Sequence, residues 1–114
     1  MSAAPDALAE RVVAALTPEE QAGAVAYAAH DPLRAGVRLD LAGAKIETAA
    51  PAWLVFIDAD PTANWGHPAR YLILDCDGGE VRSVETRLPP PAALDWRLIY
   101  QAPSVPDAAV AFPQ

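Results

Sequence analysis

The sequence predicts an α+β domain with one or two N-terminal helices packed on an antiparallel β-meander sheet. Three observations predict it. Apolar residues recur at helical spacing near the start of the chain, the period changes to two from Gly36 onward, and turn residues then separate five or six short strands. Helices first and strands after is the order of an antiparallel sheet with its helices on one face.

Residues 5–16 carry Leu8, Val12 and Leu16 at i, i+4 and i+8, one apolar stripe of a helix. Thr17-Pro18-Glu19-Glu20 is a capping box with proline at the first helical position and acids in the first turn. It predicts a second helix running to about Ala29, packed through Ala22, Val25, Tyr27 and Ala29. His30-Asp31-Pro32 then breaks it, because the residue before a proline avoids helical backbone. Val37, Leu39 and Leu41 alternate with Arg38 and Asp40 as in a strand with one wet face, Ala42-Gly43 makes a tight turn, and Ala44–Thr48 returns.

Residues 53–58 (WLVFID) and 70–76 (RYLILDC) are apolar at successive positions, as in strands covered on both sides by the chain or by a partner copy. Asp77-Gly78-Gly79 provides a hairpin turn, and Glu80–Arg87 returns as a more polar edge strand. Pro89-Pro90-Pro91 forms a stiff extended spacer. Residues 94–101 suit either a strand, with Trp96, Leu98 and Tyr100 alternating, or a short helix. Pro103, Pro106 and Pro113 predict an irregular tail, so the domain is expected over 1–103 and a Pro-rich tail over 104–114.

Composition bounds the function. Of 114 residues 26 are alanine, as many as Leu, Ile, Val and Phe together, so strong core formers concentrate in the two apolar strands. Fifteen acidic against eight basic side chains give a net charge of −7, which excludes nucleic acid and anionic membranes as expected partners. No apolar run approaches the about 18 residues of a membrane span. The start, MSAAPDALAE, lacks a signal peptide's basic and apolar regions, so the expected location is cytoplasmic. Cys76 stands alone, which excludes an internal disulfide framework.

The segment FIDADPTANWGHPARYLILD, residues 56–75, joins the two apolar strands through a long loop. Asp58, Asp60 and His67 are of metal-ligand type, but no second histidine lies nearby and no metal or cofactor is expected. Cys76 and His67 could form a thiol–imidazole pair, but Asp75 and Asp77 oppose a thiolate. A structural or recognition loop fits these residues better, with Trp65 buried, Gly66 turning the backbone, Pro68 fixing entry to the next strand and His67 bonding loop carbonyls. Arg82, Arg87 and Arg97 are interleaved with Glu80, Glu85 and Asp95, the pattern of a solvated charged face.

The run YLILDCDGGEV after WLVFID resembles small α+β domains of the PepSY and thermolysin-propeptide type, over roughly residues 18–87. That resemblance implies an inhibitory or binding module of a peptidase. The longer string FIDADPTANWGHPARYLILD is similar to small bacterial proteins of ribosomal-peptide natural-product pathways, of the crocagin type, with Trp65, Gly66, His67, Pro68, Arg70 and Tyr71 matching the core segment. It implies binding of a precursor peptide and no catalytic role for these residues.

The expectation is therefore a non-catalytic peptide-binding protein that presents a precursor peptide to modifying enzymes, and a homodimer in which a second copy covers the apolar strands. Candidate peptide or interface residues are Trp53, Phe56, Asn64, Trp65, His67, Arg70, Tyr71, Trp96 and Tyr100. The alternatives are a small hydrolase or cyclisation enzyme using His67 with Asp58 or Asp60, and an accessory or inhibitory module of a peptidase.

Overall fold

The computed structural model describes residues 5–79 and 81–111. Helix α1 (Pro5–Ala15) buries Leu8 and Val12, and Leu16, just past its end, is buried with them, the stripe read from the sequence. Helix α2 (Pro18–Gly23) begins with the expected capping box. The Thr17 amide donates to Glu20 Oε1 at 2.9 Å, and the Glu20 amide donates to Thr17 Oγ1 at 3.1 Å.

Here the chain departs from the expected long helix. α2 ends at Gly23, and Val25–Ala29 is a strand, β1. Alanine's helix propensity loses to tertiary packing. All five β1 residues are buried: Ala26 and Ala28 lie in the cluster beneath α1, and Val25, Tyr27 and Ala29 lie in the cluster on the other face. Methyl side chains on one face keep little bulk between helix and sheet, and only a strand sends alternate residues to two cores.

The remaining strands follow the sequence reading closely. They are β2 (Arg38–Leu41), β3 (Ala44–Glu47), β4 (Ala52–Asp58), β5 (Ala69–Asp75), β6 (Val81–Thr86) and β7 (Trp96–Gln101). The open choice at 94–101 resolves as a short 3-10 turn, Ala92–Leu94, followed by strand. Between β2 and β3, Ala42 and Gly43 have φ of 54° and 94°, the two positive values of a two-residue hairpin. The Gly43 amide donates to Asp40 Oδ1 at 2.8 Å and closes it.

The main sheet is antiparallel throughout, in the order β6-β5-β4-β1-β7. It is not a simple meander. β4, β5 and β6 meander, but β7 returns across the sheet to lie outside β1. The Ala-rich segment expected to be helix is thus an interior strand. β2 and β3 form a separate two-stranded hairpin.

The sheet's two faces carry separate cores. On one, α1 covers Trp53, Val55, Ile57, Leu72 and Leu74. On the other, Leu41, Ala44 and Ile46 of the hairpin and Val105 of the C-terminal segment join Leu54, Phe56, Tyr71, Ile73 and Trp96. Both faces of β4 are therefore covered within one chain, not by the second copy expected from the sequence. Beyond Pro103, expected to be irregular, the chain makes specific bonds: Ser104 Oγ donates to the Ala22 carbonyl at 2.6 Å, Gln101 Nε2 to Asp107 Oδ1 at 2.9 Å, and the Ala111 amide to Tyr27 Oη at 2.8 Å. No described helix is long and apolar enough to cross a membrane.

Candidate functional site

Antiparallel pairing from Ala52↔Asp75 to Asp58↔Ala69 leaves residues 59–68 as a loop at one end of β4 and β5. Its centre is His67. Nε2 lies 2.7 Å from Asp58 Oδ1 and Nδ1 lies 2.8 Å from the Asn64 carbonyl oxygen. The two side chains of the ion pair are only 8% and 9% exposed. A carbonyl oxygen only accepts, and so does a carboxylate, so the two contacts are satisfied together when both ring nitrogens donate, as in an imidazolium. Burial by itself would lower the pKa of His67. The Asn64 carbonyl and the Asp58 carboxylate outweigh it, Asp60 adds to them, and the ring is held above its ordinary 6.5.

Asp58 is fixed in turn, accepting the Asp60 amide on Oδ1 at 3.0 Å. The indole of Trp65 stacks on the His67 ring, 4.5 Å between centroids and 20° between planes. Trp65 also meets Phe56 at 6.0 Å, and Phe56 touches Tyr71 at 5.2 Å and Trp96 at 6.3 Å. Burial alone pushes the Tyr71 hydroxyl up to about 12. Four of the residues singled out from sequence, Phe56, Trp65, Tyr71 and Trp96, are thus one aromatic cluster. Trp65, expected to be buried, is its exposed margin at 42%.

The loop is tied to the end of β6. The Gly66 amide donates to the Arg87 carbonyl at 3.0 Å, and Arg87 Nη1 donates to the Gly66 carbonyl at 3.0 Å. Trp65 and Leu88, each one residue along from that pair and both exposed, flank it. Gly66 has φ of 104°, which an L side chain rarely adopts.

Arg70 is on the other face of the sheet. Its Nε donates to Glu20 Oε2 at 2.8 Å and its Nη2 to Glu20 Oε1 at 2.7 Å, a bidentate pair. Nη2 also reaches the Ala15 carbonyl at 3.1 Å, and Nη1 reaches Ser83 Oγ at 3.1 Å. Burial would raise the Glu20 carboxyl, but Arg70 and the Thr17 bonds hold it below the usual range. This pair borders a surface cleft of about 550 Å³ between the α1–α2 corner and β6, with Pro68, Glu85 and Arg87 at its rim. Sequence reasoning found Arg70 and found Glu20 as a cap. Their pairing, fifty positions apart, carries no sequence signal.

The other candidates are elsewhere. Trp53 is buried on the helix face with the Arg97 guanidinium 5.7 Å above its ring. Tyr100 donates its hydroxyl to the Gln21 carbonyl, pinning β7 to α2. Asn64 takes part through its backbone carbonyl. Cys76 lies at the far end of β5, and burial pushes its thiol up, against a nucleophilic role.

While both contacts hold, neither ring nitrogen of His67 offers the free lone pair that a general base needs. Among the described residues no group of three His, Cys, Asp or Glu is placed to hold a metal ion. Asp58 and His67 meet as a closed pair. No family model, curated protein or solved structure matches the chain.

Proposed function

We propose that the protein is a non-catalytic peptide-binding protein that takes up an extended peptide as an added strand along β6. The outer edge of β6 carries this reading. β6 pairs with β5 over six consecutive residues without a register break, and among the described residues no strand is paired with its other edge, although Arg82 of β6 donates to the Glu47 carbonyl of β3. The opposite edge, β7, is interrupted by a register shift against β1, the kind of bulge that blunts an edge. Main-chain bonds along β6 would supply affinity. The exposed Trp65 and Leu88 at its end, and the cleft beside Glu85 and Arg87, would supply side-chain selection.

The resemblance to proteins of ribosomal-peptide pathways makes the ligand a precursor peptide, held extended for the modifying enzymes. A second copy is not required. A homodimer could form through a sheet edge, and light scattering giving about one 12.0 kDa chain at micromolar concentration overturns it.

Amide resonances of labelled protein, titrated with a synthetic precursor peptide, test the binding. Shifts concentrated on residues 81–88 and on the Trp65 indole are expected, and Trp65→Ala with Leu88→Ser should weaken binding at least about tenfold. Shifts confined to β7, or binding indifferent to both substitutions, would overturn the reading.

A further inference from the structure

We infer that His67 is a proton-operated latch on the 59–68 loop, closed while the imidazolium donates from both ring nitrogens and released when the ring gives up one proton. The geometry requires this. Asn64 offers Nδ1 a carbonyl oxygen, and Asp58 offers Nε2 a carboxylate oxygen. A neutral imidazole has one donor, so either tautomer turns a lone pair toward one of these acceptors. The side chains are almost wholly buried, so water cannot readily repair the mismatch. The stacked Trp65 adds to the asymmetry, because a flat cation on an indole face is held more firmly than a neutral ring.

The charged surroundings work in the same direction. β4 presents Asp58 and the loop presents Asp60, both of which favour the cation. β1 presents no charge opposite Asp58, since its register partner there is Val25. At the end of β6, the Arg87 guanidinium is engaged by the Gly66 carbonyl. The ring's pKa stands above 6.5, so the latch contributes its full stability below that value and loses it as pH rises through the higher folded-state pKa.

The latch governs what the loop displays. Trp65 is clasped between His67 and Phe56, and Gly66 is bonded to Arg87. Releasing His67 loosens the seat of Trp65 at the end of β6. Resting on the peptide-binding reading, this makes docking weaken on the alkaline side.

Ring-nitrogen and backbone-amide resonances of the ¹⁵N-labelled protein, followed from pH 5 to pH 9, test the latch. Both ring nitrogens of His67 should be protonated at pH 6. One titration step should follow, with its midpoint above 6.5, in which the amides of the 59–67 segment move and the Trp65 indole resonance shifts. Asp58→Asn should lower that midpoint by one pH unit or more. Should it fold poorly, Asp60→Asn, whose carboxylate does not touch the ring, should lower it by less. An unprotonated ring nitrogen at pH 6, or a titration that leaves the loop amides unmoved, overturns the latch. The peptide titration is read separately: no binding at any pH removes the docking reading alone, and pH-independent binding beside a normal His67 titration removes only the coupling.

Discussion

Replacing Arg70 by methionine puts a number on the contact that ties the helical layer to the sheet. The side chain keeps an unbranched apolar stem but loses the guanidinium, and with it the bidentate pair with Glu20 and the bonds to Ala15 and Ser83. What remains is a Glu20 carboxylate about 10% exposed, with the Thr17 amide as its partner. Breaking a fully buried pair in this way costs about 3–5 kcal/mol. The cleft lets water reach the Arg70 side, so the expected loss is smaller, about 2–3 kcal/mol. For a chain of this size that is a fall in Tm of about 8–12 °C. Urea unfolding followed by tryptophan fluorescence measures it. Glu20→Gln should restore part of the loss in the Arg70→Met background by removing the stranded charge. Glu20 is held below its ordinary 4.5, so the pair's contribution is present above that pH and disappears as pH falls through the lower folded-state value. Wild type and Arg70→Met should therefore draw together as pH falls below the ordinary 4.5 and through that lower value. A loss under about 1 kcal/mol at pH 7, or a double variant as weak as the two losses summed, would refute the reasoning.

Other substitutions probe other parts of the fold. Phe56→Ala removes the centre of the aromatic cluster and should cost about 3–5 kcal/mol in the same unfolding assay. Thr17→Ala deletes one half of the capping box and should cost about 1 kcal/mol. Ala42, at φ 54°, is held where glycine is easier, so Ala42→Gly should raise the urea midpoint slightly, whereas Gly43→Ala, at φ 94°, should lower it. Leu88→Ser changes an exposed side chain and should leave stability within about 1 kcal/mol, so weakened peptide binding in it is not an unfolding effect.

Much of this fold is local and so was legible in the residues. The cap at Thr17, the positive-φ turn at Ala42-Gly43 and the two-faced apolar runs of β4 and β5 are each written within a few positions. β1 is different. Val25-Ala26-Tyr27-Ala28-Ala29 reads as helix because its partners, β4 and β7, lie far along the chain, and its small residues become informative only once α1 lies over them. The site divides in the same way. Trp65, His67 and Asp58 could be named from one short segment, and they do meet. That the ring would donate twice, that Glu20 would hold Arg70, and that Arg87 would bond the loop are consequences of register and chain return, which no local pattern encodes.

The placement of β7 outside β1 has a consequence for how the molecule comes into being. β1 is made before both strands that flank it, β4 and β7. Contacts such as Ser104 on Ala22 and Ala111 on Tyr27 span 82 and 84 positions. On the ribosome β1 must wait, exposed on at least one edge, until β7 has emerged. A topology closed by its last strand folds slowly for its size. The Ala-rich composition of β1 then has a second use: a waiting segment of small side chains offers little apolar surface for nonproductive pairing.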